Sequence, residues 1–281
     1  MKTVAVIGLG IMGRGIAENF LKHDYKVVVW NRTPEKVEDL ITRGAVKAES
    51  VQEAVRQANV VFEVTANDES SRAVWIGEAG ILSSVRPEQS VITCATLSAG
   101  WTDELAAHCA NAGLTFFDMP MTGGRMAAES GQLTLLAGGD QAKLNEIRED
   151  LKAIAKDVKY FGPAGSGMRY KLILNTLQAI HMVGFGEVLR MAKDIGLQTD
   201  LVADALAERP GGAVTGFARE AYRKDLAQAN FFVEWMAKDL GYASDMTKTI
   251  SHPLLDDALD AYKQAIEKGY AQADWTKVNK L

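Results

Sequence analysis

Cysteine is nearly absent: Cys94 and Cys109 are the only 2 among 281 residues, at a spacing that matches neither a redox pair nor a metal site. A disulfide scaffold is thereby excluded, and a reducing, cytoplasmic compartment is expected. The 4 histidines, His23, His108, His181 and His252, form no metal-ligand or triad pattern. His181, inside an apolar segment, reads as a packed core side chain. Positive charge is not in excess either, with 31 Lys and Arg against 36 Asp and Glu and a net charge of −5. No electrostatic footprint for nucleic acid is therefore expected. No apolar run reaches the roughly 18 to 20 residues that span a bilayer, so no membrane partner is expected. From Met1-Lys2-Thr3 the chain passes straight into an apolar strand, and no signal peptide is expected. No low-complexity tract, internal repeat or flexible linker stands out.

What is present is a globular composition, 47% hydrophobic and 24% charged, at a length that suits one large domain or two ordinary ones. In the first half, strands and helices alternate. Val4–Ile7, Tyr25–Trp30, Ala45–Lys47, Val60–Val64, Ser90–Thr93, Leu114–Phe117, Leu133–Ala137 and Val158–Phe161 read as strands. Helices are expected at Ile11–His23, from Pro34, after a Ser98 cap, and at Gln141–Lys156. Such alternation predicts a largely parallel sheet with helices on both faces, the final pair of strands able to run antiparallel at the edge.

Beyond Gly162-Pro163 no strand pattern remains. Leu172, Ile173, Leu177, Ile180, Val183, Val188 and Met191 recur at helical spacing and predict one long helix from Gly167 to Ile195. Further helices are expected at Leu201–Glu208, Phe231–Thr249 and Pro253–Glu267, with Gly211, Gly212 and Gly216 in a loop. The expected fold class is α/β. A Rossmann-type doubly wound sheet covers residues 1–162, and an all-α domain, opened by the long interdomain helix, covers residues 163–281.

Gly8-Leu9-Gly10-Ile11-Met12-Gly13 is a G-x-G-x-x-G between a predicted strand and a predicted helix. Its glycines permit a tight turn, close approach of a pyrophosphate, and close helix–strand packing. The helix N-terminus then faces the phosphates. Alone, the motif is also compatible with an ordinary glycine turn; inside a βαβ pattern it points to a dinucleotide. An NAD site usually presents Asp or Glu at the end of the second strand. Here Asn31-Arg32-Thr33 replaces it, and Arg32 and Thr33 can receive a 2′-phosphate. NADP(H) is the expected cofactor, a solvated surface charge being the other reading of Arg32.

Asp118-Met119-Pro120-Met121-Thr122-Gly123-Gly124 follows a strand whose carboxyl end faces the ligand crevice in such a fold. Thr122, Gly123 and Gly124 offer a hydroxyl and backbone N–H groups to a carboxylate. Taken alone, this turn reads more readily as structure. Lys171 and Asn175, four apart, share one face of the long helix. A lysine on an apolar helix is costly to bury unless its charge is used. As an isolated pair, a snorkelling lysine and an asparagine bonded to a neighbouring helix account for them.

Four segments occur in order: Gly8–Gly13; Asp118–Gly124 continuing through Glu129-Ser130-Gly131-Gln132-Leu133-Thr134; Gly165–Asn175; and Lys238-Asp239-Leu240. In this order they resemble the β-hydroxyacid dehydrogenase family, typified by 3-hydroxyisobutyrate dehydrogenase, with 6-phosphogluconate dehydrogenase as a larger relative. The resemblance covers essentially the whole chain. It implies that Lys171 is the catalytic lysine and Asn175 its companion. Thr122, Gly123 and Gly124 become the substrate-carboxylate loop, where the family more often has Ser-Gly-Gly. Thr96 lies near the nicotinamide, and Lys238 closes over the cofactor with Asp239 in support. Two departures stand out. Ala66-Asn67 replaces a Leu-Pro common in the loop that lines the nucleotide ribose, so only a backbone contact is expected there. Arg125 follows Gly-Gly where small or apolar residues are usual; it either reads a second anionic group on the substrate or is a surface arginine.

The activity this implies is NADPH-dependent reduction of a small carboxylate-bearing semialdehyde or keto acid, or oxidation of its hydroxy acid. Lys171 exchanges the proton, its pKa lowered by burial beside an oxidised ring. Methylmalonate, tartronate and succinic semialdehydes and glyoxylate all satisfy the motifs. The alternatives are imine reduction, whose enzymes on this fold generally lack the lysine, and a non-catalytic NADP-binding protein. By the same resemblance, the helical domain forms a homodimer or homotetramer.

Overall fold

The computed structural model describes residues 2–208, 212–224, 228–247 and 251–281, with Gly212 and Ala213 described in backbone only. Six strands form its parallel sheet: β1 (Thr3–Ile7), β2 (Lys26–Trp30), β3 (Val46–Lys47), β4 (Val60–Glu63), β5 (Ser90–Thr93) and β6 (Thr115–Asp118). Their order is β3-β2-β1-β4-β5-β6, which puts the start of the chain at the centre of the sheet. Because helices cover both faces, the central strands read as near-continuous apolar runs. Val4 and Val6 pack with Ile16 and Phe20 of α1 (Ile11–Lys22) on one face. Ala5 and Ile7 pack with Trp75 and Leu105 on the other.

Three strands complete the sheet: β7 (Met121–Thr122), β8 (Leu133–Gly139) and β9 (Ala155–Gly162). β8 runs antiparallel to β6 and β7, and β9 pairs with β8 in parallel. The closing pair therefore reverses as a unit. A parallel neighbour needs a crossover, and α7 (Gln141–Leu151) supplies it. Asp140 caps that helix, accepting the Lys143 N–H at 2.9 Å, and the helix ends five residues before the expected Lys156.

Two short helices between β3 and β5 were not anticipated. α3 (Val51–Gln57) is capped by Ser50, and α4 (Asp68–Trp75) by Asn67, which exchanges hydrogen bonds with Ser70. α5 (Ala99–Asn111) starts at Ser98, the expected cap.

The chain divides into two compact units between Lys171 and Leu172. The division falls inside α8 (Ser166–Asp194). The second unit also contains α9 (Thr199–Ala207), α10 (Gly212–Arg223), α11 (Val233–Met246) and α12 (Pro253–Glu267). Leu172, Met182, Leu189, Met236, Leu240 and Tyr262 belong to its core.

Here the sequence expectations need correction in four places. Gly212 and Gly216 lie in α10 rather than a loop, while Gly211 and Thr249 fall outside the described residues. His181 is exposed, not packed. Ile173, Leu177, Val188 and Met191 are exposed as well, at 57%, 52%, 40% and 60%. Helical spacing predicts the helix but not which apolar face is covered. Finally, α8 is long and apolar enough by length and composition to cross a membrane. Asn175, Gln178 and His181 interrupt its apolar runs, which hid that length in the sequence.

Candidate active site

The glycine turn joins β1 to α1. Gly8 adopts φ 98°, and its N–H donates to the Trp30 carbonyl at 2.9 Å. The next N–H, of Leu9, donates to Asn31 Oδ1 at 2.8 Å, and Asn31 Nδ2 donates to the Thr33 carbonyl at 2.9 Å. Asn31 thus laces the β1 turn to the β2 turn. A Cβ on Gly13 would overlap the Gly8 carbonyl oxygen, so helix and turn pack without a gap. Beside Gly10 the situation reverses: a Cβ there would meet no atom within 4 Å. No side chain caps α1. A turn that is open beside Gly10 and leads into a helix start capped by no side chain fits a dinucleotide pyrophosphate. Arg32 and Thr33 are exposed at the end of β2. Arg14 is already committed, to Glu18 at 3.2 Å and to Asp39.

The β4 and β5 turns are held from below by a buried carboxylate. Glu63, 0% exposed, accepts the Thr93 hydroxyl at 2.5 Å, the Trp75 indole N–H at 3.4 Å, the Thr65 N–H at 2.9 Å and the Thr65 hydroxyl. Burial pushes its carboxyl above the ordinary range, against the pull of these donors. Ala66 is exposed, and the Asn67 side chain is occupied in capping α4. Asp68 accepts the Ser98 N–H at 2.9 Å and its hydroxyl at 2.5 Å, fastening α4 to the start of α5. Thr96, half-buried, lies in the turn that this bond closes.

Thr122 belongs to β7, facing Thr134 on β8. Gly123 has φ 122°, a conformation that a side chain would strain, and Gly124 opens the short helix α6 (Gly124–Glu129). The Asn19 amide on α1 donates to the Ala128 carbonyl at 2.7 Å, which holds α6 in place. Arg125 is half-buried, 3.8 Å from Glu129. At the end of β6, Asp118 is fully buried and accepts the N–H groups of Gly165 and Met168, both at 2.7 Å. Lys171 follows within a turn and is 8% exposed. In the first unit, the glycine turn, Asn31–Thr33, residues 65–67, Thr96 and Thr122–Arg125 all follow carboxyl ends of strands.

In the second unit, Asn175 and Asp239 are buried and bonded, Nδ2 donating to Oδ2 at 2.6 Å. The Lys238 ammonium stands 2.9 Å from the other Asp239 oxygen and 5.2 Å from the Tyr242 ring centre. Phe232 packs on Trp235 with ring centres 4.4 Å apart, and Met236 is in the core.

Residues 3–162 match the family model described as the NAD binding domain of 6-phosphogluconate dehydrogenase. Residues 165–281 match that described as NAD-binding of NADP-dependent 3-hydroxyisobutyrate dehydrogenase. The chain belongs to the 3-hydroxyisobutyrate dehydrogenase family. It is 31% identical to the NAD-dependent L-serine dehydrogenase of Pseudomonas aeruginosa, over 100% of this chain and 98% of that one. It is 30% identical to the mitochondrial 3-hydroxyisobutyrate dehydrogenase of Mus musculus, over 98% of this chain and 85% of that one. The structure of Mycobacterium tuberculosis 3-hydroxyisobutyrate dehydrogenase with L-serine aligns at a TM-score of 0.87 and 26% identity, covering 99% and 98% of the two chains. Like its relatives in the 3-hydroxyisobutyrate dehydrogenase family, the chain couples a Rossmann-type sheet to a helical domain with a long helix. The family is one of NAD(P)-dependent dehydrogenases of hydroxy acids.

Two polar residues of this family member, and the bonds made by a third, escaped the sequence reading. Glu63 ends a strand otherwise apolar, and a lone glutamate there was a readable signal. Asp68 had none, because its partner Ser98 lies 30 residues away. The capping of α8 by Asp118, across 47 and 50 residues, was equally hidden.

Proposed function

We propose that this protein interconverts a small semialdehyde or keto acid with its hydroxy acid, using NADP(H), with Lys171 as general acid and base. The observation that carries the reading is the burial of Lys171, 8% exposed, on the helix whose first turn is held by the last residue of the strand leading to Thr122–Gly124. An ammonium buried that far needs a use for its charge.

Residues 1–162 bind the cofactor in this proposal, and residues 163–281 serve substrate binding and dimerisation. Gly8, Leu9, Gly10, Ile11, Met12 and Gly13 hold the pyrophosphate at the open first turn of α1. Asn31 braces that turn, Arg32 and Thr33 receive the 2′-phosphate, Ala66 and Asn67 offer backbone to the ribose, and Thr96 borders the nicotinamide. The bound dinucleotide supplies or takes the hydride. Thr122, Gly123 and Gly124 hold the substrate carboxylate, and Arg125 takes a second anionic group where a substrate has one. Lys171 Nζ gives its proton to the carbonyl oxygen in reduction and recovers it in oxidation. Asn175 orients the reacting oxygen, and Lys238 contacts the cofactor.

The P. aeruginosa relative is named for NAD; the Asn31-Arg32-Thr33 turn, lacking a carboxylate, is what argues for NADP here. The exposed apolar line of Ile173, Leu177, Val188 and Met191 supports a homodimer or homotetramer, which sedimentation tests. Two buried free cysteines fit the cytoplasm.

The test is a panel of methylmalonate, tartronate and succinic semialdehydes, glyoxylate and L-serine with both cofactors. At least one turns over, with kcat/KM about tenfold or more higher for the NADP form. Equal or better use of NAD contradicts the cofactor assignment, and no turnover contradicts the whole reading.

A further inference from the structure

Asp118 sits between two motifs and joins them. Its strand register places it opposite Thr93 on β5 and Gly138 on β8. Downstream, the Met119 N–H donates to the Thr93 carbonyl at 2.8 Å and the Leu136 N–H to the Pro120 carbonyl at 3.0 Å. The path from Asp118 to Thr122 is thereby pinned to the sheet on both sides. The carboxylate itself, 0% exposed, takes the Gly165 N–H on Oδ1 and the Met168 N–H on Oδ2. Early N–H groups of a helix have no partner within it, so this single side chain anchors the start of α8. Met168 precedes Lys171 by less than one turn. There is no slack: a Cβ on Gly138 would overlap Asp118 Oδ1, and one on Gly167 would overlap the Leu136 carbonyl oxygen.

We propose that Asp118 is a positioning residue for Lys171, its carboxylate fixing the start of α8 against the strand that carries Thr122–Gly124. The inference rests on the reading of Lys171 as proton donor. An ionised carboxylate accepts both N–H groups fully, and protonation weakens that hold. Burial pushes the Asp118 carboxyl up to about 6, while the bonds from Gly165 and Met168 pull it down. The charged group on α8 that faces it is Arg169, whose guanidinium is held by Asp103 of α5 at 2.7 and 3.0 Å. On the strand side its neighbours Thr93 and Gly138 are uncharged, with Glu63 of β4 beyond Thr93. The start of α8 therefore loosens as pH falls through about 6.

Two measurements on the full-length protein test this. In Asp118→Asn, the amide nitrogen cannot accept an N–H. The kcat for NADPH-dependent reduction of glyoxylate, or of whichever panel member turns over, falls by about a hundredfold with little change in KM. NADPH affinity, read by fluorescence, stays within about twofold, and the acid limb of kcat expected near pH 6 in the unsubstituted protein is lost. Unchanged kcat and pH profile, or loss of cofactor affinity in parallel with kcat, overturns the proposal. The second measurement needs neither variant nor substrate: amide hydrogen exchange at Gly165 and Met168, corrected for intrinsic rates, at pH 5 and pH 7.5. Weaker protection at pH 5 supports the hold by Asp118, and equal protection overturns it. Failure of the entire substrate panel overturns the functional reading, and the exchange measurement still decides whether Asp118 holds the helix.

Discussion

Asn175 donates its side-chain amide to Asp239 at 2.6 Å, in a part of the helical core closed to solvent. A carboxylate only accepts, so the bond fixes which end of the Asn175 amide faces Asp239 and leaves Oδ1 on the opposite side. The Lys238 ammonium, 2.9 Å from the second carboxylate oxygen, helps to balance the buried charge. Asp239 thereby orients two residues that the family resemblance assigns to the site.

Asp239→Ala leaves the Asn175 amide buried without its acceptor. We expect the unfolding free energy to fall by about 1.5–3 kcal/mol, mostly from that lost charge-assisted bond. Lys238 is partly solvated and adds little. Urea denaturation at pH 7 checks it; a loss under about 0.5 kcal/mol would mean that the bond is incidental.

Gly10 and Gly13 separate folding from cofactor binding. Gly13→Ala forces a methyl into the Gly8 carbonyl and should lower thermal stability by several degrees together with cofactor affinity. Gly10→Ala meets nothing within 4 Å in the protein itself, so its melting temperature should hold while NADPH affinity drops by about tenfold or more. Calorimetry with and without NADPH distinguishes them, and an unaffected Gly10→Ala affinity would remove the pyrophosphate from this turn.

Glu63 predicts a pH dependence of stability. Its folded pKa is raised by burial, so the native state keeps a proton that the unfolded chain releases. Stability from this group is full below the unfolded value, about 4.3, and declines as pH rises toward the folded value. In Glu63→Gln that decline is absent, so the variant should compare more favourably with the original at pH 8 than at pH 4. Parallel urea curves at the two pH values would contradict it.

Much of this was legible in the sequence because the central strands are buried on both faces. Val27, Val28 and Val29 announce β2 for that reason, and Pro253–Glu267 was readable to the residue from its proline start and apolar spacing. Short helices were harder: α3 and α4 carry capping signals at Ser50 and Asn67 but too few apolar positions to show a period. On α8, spacing could not say that Ile173 and Leu177 face outward, since exposure depends on what packs nearby. For the candidate site, the residue types and their order were readable, but the bonds that orient them were not. Asp239 and Asn175 are 64 residues apart, and Asp118 reaches Gly165 across 47. Such pairings are made only by the fold.

The most direct test of the central claim, that Lys171 moves the proton, is NADPH oxidation by Lys171→Ala on the best substrate of the panel, with NADPH binding measured alongside. The account predicts that kcat falls by about a hundredfold or more, the usual contribution of a positioned general acid, while NADPH affinity changes little. A variant that keeps substantial turnover would contradict it.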